Sequence, residues 1–86
     1  MNIDVHGIVR FISEEQPLES DRASHQFRII VIETIEGPYI AVHVWDEKLP
    51  KIKGVKLRDM VDLPCRLESH KNRKNPKLWF HKILLR

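Results

Sequence analysis

The spacing of apolar residues constrains the fold of this chain most strongly, because they recur at every second position along most of its length. This period is typical of β-strands with one buried and one exposed face, whereas an amphipathic helix repeats about every 3.6 residues. The chain has 86 residues, which is enough for one modest core. We therefore expect a single all-β domain that spans residues 1–86.

Five segments have the alternation and the β-branched or aromatic content of strands. They are residues 3–12, 25–35, 39–45, 60–69 and 78–86. Gly37 and Pro38 separate the second segment from the third, which predicts a tight turn and a hairpin. The polar residues 13–24 are expected to form a long loop. Residues 46–59 are expected to form a connector with at most one short helical turn, because proline and glycine interrupt any longer helix.

This order of elements favours a five-stranded antiparallel Greek-key barrel of the OB-fold type, with the connector between the third and fourth strands. An SH3-like barrel is the competing architecture, but it usually has shorter strands and no such connector. The last strand carries apolar residues on both faces. Trp79 and Phe80 are adjacent and must point in opposite directions, so we expect one of them in the core. The other is expected to be exposed or to lie in a subunit contact.

Charge is distributed unevenly between the two halves of the chain. Residues 1–47 contain three Lys/Arg against nine Asp/Glu, whereas residues 48–86 contain twelve against three. Such asymmetry indicates a polyanionic ligand or an acidic partner for the basic half. The alternative is a solvated surface on which the charges happen to be unevenly spread.

The densest positive charge lies in the sequence HKNRKNPK, between the last two strands. Its cations are Lys71, Arg73, Lys74 and Lys77. Lys and Arg side chains that displace counterions from phosphates drive nucleic-acid binding, and in the OB-fold this loop is one of two that bind oligonucleotides. The alternative is a solubilising hairpin tip that deters pairing of exposed strand edges.

A group of rings is predicted on the outward face of the third strand. If its Ile and Val residues face the core, then Tyr39, His43 and Trp45 face outward, where aromatic side chains can stack on bases. Arg28, on the second strand, is expected beside them. For Trp45 the alternative is that the side chain folds over the end of the barrel and is half buried.

The sequence contains no motif that indicates catalysis. It has no glycine-rich phosphate loop, and its five histidines and the single Cys65 lack the spacing of a zinc site. We therefore expect no enzymatic activity, no bound metal and no cofactor. No apolar run is long enough to span a membrane and no secretory signal begins the chain, so a cytoplasmic protein without membrane association is expected.

Two stretches, HGIVRFISEEQPLES followed by HQFRIIVIE, and LESHKNRKNPKLWFHKILL, resemble bacterial single-stranded DNA-binding proteins of the group that includes the primosomal replication protein PriB. The similar features are a glycine in the first strand, a proline in the first loop, His-Gln-Phe at the start of the second strand and Ser-His-Lys before the last one. The resemblance implies an OB-fold protein that binds single-stranded DNA in replication, recombination or repair. It also implies a homodimer formed through strand edges, and a replication protein as a further partner.

The resemblance assigns roles to particular positions. It implies that Lys71 and Arg73, and with them Lys74 and Lys77, contact DNA, and that Trp45 stacks on a base. The sequence-based hypothesis is therefore a non-enzymatic single-stranded DNA-binding protein. Two alternatives stay open: an OB-fold module that docks an acidic protein, and an OB-fold protein that binds RNA.

Overall fold

A computed structural model describes residues 1–20 and 23–86 of the chain, and the side chains of residues 1–15 and 26–86. The strands are β1 (Asn2–Ile12), β2 (Gln16–Ser20), β3 (Ala23–Thr34), β4 (Tyr39–Trp45), β5 (Met60–Lys71) and β6 (Trp79–Leu85). A 3₁₀ helix (Asp46–Ile52), here called the connector helix, follows β4 and is longer than the single turn expected. The prediction of a mostly β structure is confirmed.

Five of these strands form a sheet that closes on itself in the order β1, β3, β4, β6, β5 and back to β1. β1 closes the sheet by pairing antiparallel with β5 near its beginning and with β3 near its end. A register shift between Val9 and Phe11 marks a bulge, which bends a strand and increases its twist. Gly7 lies where β1 crosses β3 closely: a Cβ there would lie 2.8 Å from Thr34 Cα.

Two predictions about the connections are wrong. The β4–β6 pair is parallel rather than antiparallel, with His43 opposite Leu84, because the chain passes beyond β6 to form β5 before it returns. Residues 16–20, predicted as part of a long loop, form β2 and pair with residues 23–27. Their composition has little β propensity, so the pairing comes from the extension of β3 rather than from local preference. Residues 21 and 22 lie outside the described residues.

The β3–β4 hairpin forms as predicted, and its turn uses the residues expected of one. Gly37 has φ 112°, in the left-handed region that favours glycine. The Thr34 N–H donates to the Pro38 carbonyl at 3.0 Å, and the Gly37 N–H donates to the Thr34 carbonyl at 2.9 Å. This turn sets a register in which Phe27 lies opposite Trp45 at the far end of the hairpin.

The core lies inside the closed sheet and consists of the inward-facing residues of its strands, with one contribution from the connector helix. Its members are Val5, Val9, Ile30, Ile32, Val42, Val44, Ile52, Leu63, Cys65 and Leu85. The alternation predicted for β4 is confirmed, because Val42 and Val44 are fully buried whereas Tyr39 and Ala41 are exposed. The outward side chains of β4 are therefore available to a ligand.

β5 and β6 continue beyond the closed sheet as a two-stranded ribbon, formed by residues 67–71 and 79–83. β5 pairs with β1 as far as Arg66, and β6 meets β4 at Leu84. In the described ladders the remaining rows pair only with each other. The first of them is also bonded to the N-terminal residue, because the Leu67 N–H donates to the Met1 carbonyl at 2.8 Å. The ribbon therefore projects from the sheet as a β-hairpin.

Neither Trp79 nor Phe80 lies in the core, so the prediction that one of them is buried is wrong. Trp79 is 61% exposed and Phe80 is 45% exposed. Their side chains point to opposite faces as expected, but both lie at the outer end of the ribbon. Alternation decides the face to which a side chain points, whereas burial also requires a second layer over that face.

Candidate functional site

Three rings on the outward surface of β3 and β4 stack on one another and are called the aromatic face: Phe27, His43 and Trp45. The ring centroids of Phe27 and Trp45 lie 5.4 Å apart with 28° between the planes, and those of Phe27 and His43 lie 6.4 Å apart with 15°. Such offset contacts are the favourable geometry for aromatic pairs. The sequence-based prediction included His43 and Trp45 but missed Phe27. Counting outward from the Gly37 turn would have placed Phe27 opposite Trp45.

The His43 imidazole contributes ring surface rather than charge to the aromatic face. Burial, and secondly the positive charge of Lys82, lower the pKa of His43 below its usual value. The ring is therefore neutral at pH 7. A neutral imidazole next to Phe27 keeps this part of the surface suited to stacking.

A cation lies over the outermost ring of the aromatic face. Lys82 of β6 places its Nζ 5.6 Å from the ring centroid of Trp45, within the range of a cation–π contact. A groove of about 300 Å³ runs between Trp45 and the outward residues of β5 and β6, including Leu84. Stacking surface and positive charge thus lie side by side.

Glu68 is the acid of β5 that lines this groove, and it is paired. The Arg66 Nη2 lies 2.9 Å from Glu68 Oε2, and the His70 Nε2 lies 3.4 Å from Glu68 Oε1. The His70 ring stacks on Phe80 at a centroid distance of 5.4 Å. The Arg66 guanidinium offsets the charge of the Glu68 carboxylate. Glu47 is a second acid that lines the groove, and the cations Lys48 and Lys82 line it as well.

The ribbon ends in a cluster called the basic tip, which consists of Lys71, Arg73, Lys74 and Lys77. Two asparagines build its turn. Asn72 Oδ1 accepts hydrogen bonds from the backbone N–H groups of Lys74 at 2.8 Å and Asn75 at 3.1 Å. Asn75 Oδ1 accepts one from the N–H of Lys77 at 3.1 Å. The four cationic side chains are exposed, so they project positive charge into solvent.

Tyr39 faces outward as predicted but lies apart from the aromatic face, at the other end of β4 from Trp45. Its hydroxyl donates to Glu33 Oε1 at 2.8 Å, and Arg10 pairs with Glu33 Oε2 at 3.1 Å. The hydrogen bond raises the pKa of Tyr39 and lowers that of Glu33. An acid therefore adjoins Tyr39, which makes its surroundings less favourable for phosphate than those of Trp45.

Arg28 does not lie beside the rings, and the prediction that it does is wrong. It pairs with Val44, whose side chain is fully buried, so it shares the inward-facing side of β3. Arg28 is half buried next to the connector helix, where Glu15 and Asp46 line the same cavity of about 490 Å³. Near this end of β3, alternation puts odd-numbered residues such as Phe27 on the outward face. It puts Arg28 on the inward face.

Other features of the described chain bear on possible chemistry. Among the side chains of residues 1–15 and 26–86, no three or more His, Cys, Asp or Glu are grouped so that they could hold a metal ion. Cys65 is fully buried, and this burial raises the pKa of its thiol to about 11, so the reactive thiolate is scarce at neutral pH. Within the same residues, no helix has the length and apolar character that a membrane span requires.

Comparison with known proteins returned no match to a protein-family model, to a curated protein or to a solved structure. The relationship to single-stranded DNA-binding proteins therefore stays a prediction from the motifs of the chain.

Proposed function

We propose that this chain is a non-enzymatic OB-fold protein that binds single-stranded DNA. Bases stack on the aromatic face, and phosphates are held by Lys82 and by the basic tip. The observation that carries the proposal is the alignment of these groups along β6. Leu84 lies beside His43 and Trp79 lies at the basic tip, and the two are five steps apart along β6, roughly 17 Å at about 3.3 Å per residue.

The arrangement of the strands supports the OB-fold assignment. If only the five strands of the closed sheet are counted, β3 and β4 are the second and third strands, and the basic tip joins the fourth to the fifth. OB-folds bind oligonucleotides on the face of their second and third strands and with this same loop. The aromatic face and the basic tip occupy those two places.

The chemistry of the surface favours a single strand over a duplex. A ring can stack only on a base whose π-face is accessible, and in a duplex each base face is covered by its neighbours. Stacking on Trp45 and Phe27 tolerates any base, whereas cations bind the phosphates that every base shares. We therefore expect binding that depends strongly on salt and weakly on sequence.

The cellular role is proposed from the resemblance alone. It favours DNA replication, recombination or repair, a homodimer, and a replication protein as partner. The cytoplasmic location expected from the sequence fits that role. Base stacking on the aromatic face and phosphate contacts at the basic tip do not depend on that role.

A titration with oligo-dT at about 50 mM and about 200 mM salt tests the proposed function. We expect quenching of tryptophan fluorescence and a rise in the anisotropy of a labelled oligomer, both weaker at the higher salt. A duplex of equal length is the control and should bind less tightly, without quenching. If fluorescence and anisotropy both stay flat at the lower salt, the proposed function is wrong.

Two further ligands separate the alternatives in the same assay. Oligo-U tests whether the surface distinguishes RNA from DNA, because stacking and phosphate contacts by themselves serve both. Poly-glutamate tests charge without bases. If poly-glutamate binds as well as oligo-dT and neither quenches tryptophan, the basic tip docks acidic protein and the aromatic face is not used.

A further inference from the structure

The ribbon carries a second pair of an aromatic ring and a cation, Trp79 and Lys71, and the proposed function uses the cation but not the ring. Trp79 shares its side of β6 with Leu85, which belongs to the core, whereas Phe80 shares the opposite side with Lys82. Each face of the ribbon therefore carries one of these two large aromatic side chains near the basic tip. Only the Phe80 side is continuous with the aromatic face.

The ring of Trp79 is unusually accessible. It is 61% exposed, and its main ring contact is with Lys71 in the same row, whose Nζ lies 5.5 Å from the ring centroid. In the next row Ser69 Oγ is hydrogen-bonded to His81 Nδ1 at 2.9 Å. An exposed tryptophan beside a lysine combines the two groups that a stacked nucleotide requires, a π-face and a phosphate ligand.

We infer that Trp79 and Lys71 form a second stacking platform, and that one nucleic-acid strand passes around the basic tip to contact both faces of the ribbon. The inference rests on the proposed function, which uses only the other face. Arg73, Lys74 and Lys77 lie in the turn between the two faces, where they hold the phosphates as the strand changes sides.

Charge complementarity identifies the occupant of this platform as a polyanion. From Ser69 to Arg86 the chain contains no acidic residue but six Lys and Arg, namely Lys71, Arg73, Lys74, Lys77, Lys82 and Arg86. A second copy seated on Trp79 through the same ribbon would bring a like set of charges into contact, which is unfavourable. A single strand instead supplies one phosphate for each base.

The position of the platform predicts a dependence on oligomer length. Trp79 lies roughly 17 Å along β6 from the row at His43, and on the other face of the ribbon. A short oligomer can cover the aromatic face without reaching it, whereas a longer one reaches around the tip. One OB-fold binds about 4 to 16 nucleotides. Oligomers at the two ends of this range should therefore differ in whether they reach Trp79.

Single-tryptophan variants test the inference, because Trp45 and Trp79 are the only two tryptophans of the chain. In Trp79→Phe the remaining tryptophan is Trp45, and its fluorescence reports on the aromatic face. In Trp45→Phe the remaining tryptophan is Trp79, and its fluorescence reports on the second platform. Each is titrated with oligo-dT of about 4 and about 16 nucleotides. We expect both lengths to quench Trp45, but only the longer one to quench Trp79.

An affinity measurement complements the fluorescence. Trp79→Ala should weaken binding of the longer oligomer roughly 5- to 150-fold, which corresponds to the loss of one stacked base, and leave the shorter one unchanged. Phe11→Ala is the matched control, since Phe11 is 52% exposed and lies outside the ribbon, on β1 opposite Val31 of β3. It should change neither affinity. Because Trp79 is exposed and does not belong to the core, circular dichroism should show that Trp79→Ala retains the fold.

Three results would overturn the inference, and they differ in what else they overturn. If Trp45 is quenched but Trp79 is not at either length, the second platform is wrong and the proposed function stands. If Trp79 emission shifts to the blue with rising protein concentration in the absence of DNA, a second copy covers this face instead. If neither tryptophan responds and anisotropy stays flat, the inference and the proposed function fall together.

Discussion

Removing two cations from the basic tip should reduce the salt dependence of oligo-dT binding by a calculable amount. The variant is Lys71→Ala with Arg73→Ala. Both side chains are exposed and neither contributes to the hydrogen bonds of the turn, which come from Asn72 and Asn75. The substitution therefore changes charge at the tip while the ribbon keeps its shape.

The magnitude follows from the number of cations along the proposed path. The four of the basic tip and Lys82 make five. If each contacts one phosphate, the slope of log K against log salt is about −3.5, because single strands release about 0.7 counterion per contact. For the variant it is about −2.1. Between about 50 and 200 mM salt, wild-type affinity should fall about 100-fold and that of the variant about 20-fold.

Fluorescence anisotropy at four or five salt concentrations measures both slopes. Lys53→Ala with Lys56→Ala is the matched control, because it removes the same net charge from exposed positions between the connector helix and β5. Its slope should equal that of the wild type. An unchanged slope for the tip variant would refute the phosphate contacts, and equal reductions in both variants would mean that net charge acts without a defined path.

Three further predictions concern stacking and stability. Trp45→Ala should weaken oligo-dT binding by about 1–3 kcal/mol, the value of one stacked base, whereas Phe11→Ala should not; anisotropy measures both. Gly7→Ala should lower the free energy of unfolding by about 3 kcal/mol or more, because the added Cβ would overlap the Glu33 carbonyl and lie 2.8 Å from Thr34 Cα. Urea denaturation checks this, with Gly54→Ala as control, since nothing lies within 4 Å of a Cβ there; equal losses would disprove the close approach. Finally, the pKa of Cys65 is about 11 in the folded chain against an ordinary 9.0, so the folded state keeps a proton that the unfolded state loses. The protonated Cys65 thiol therefore contributes about 2–3 kcal/mol to the free energy of unfolding. This contribution is fully present below pH 9 and is lost as pH rises through 11. Between pH 9 and 11 the urea midpoints of the wild type and of Cys65→Ala should converge. A constant difference between the two midpoints across this pH interval would contradict the prediction.

Local patterns in the sequence were sufficient to predict the strands that pair through a short turn. Alternation along β4 assigned Val42 and Val44 to the core and His43 to the surface, because a strand with one buried face has a period of two. The Asn-containing basic tip was predicted for a similar reason, since polar turn residues separate two apolar runs.

The remaining features depend on contacts that no local pattern encodes. The parallel pairing of β6 with β4 follows from the path of the whole chain, and β2 forms because β3 extends far enough to pair with it. The position of Arg28 follows from the alternation of β3, which puts it on the same side as the buried Ile30 although its side chain is charged. The exposure of Trp79 depends on where the closed sheet ends along β6.

The turn of the ribbon makes this surface easy to diversify. In the described part of the chain, the hydrogen bonds of this turn join residues of the turn itself. The side chains of Asn72 and Asn75 accept backbone N–H groups, the Asn72 N–H donates to the Leu78 carbonyl at 2.9 Å, and the Leu78 N–H donates to the Asn75 carbonyl at 3.0 Å. The cations between them can therefore be exchanged one at a time without disturbing the core, so selection can tune ligand affinity separately from folding. For the same reason the tip is a suitable graft site for a library of loops that retains both asparagines.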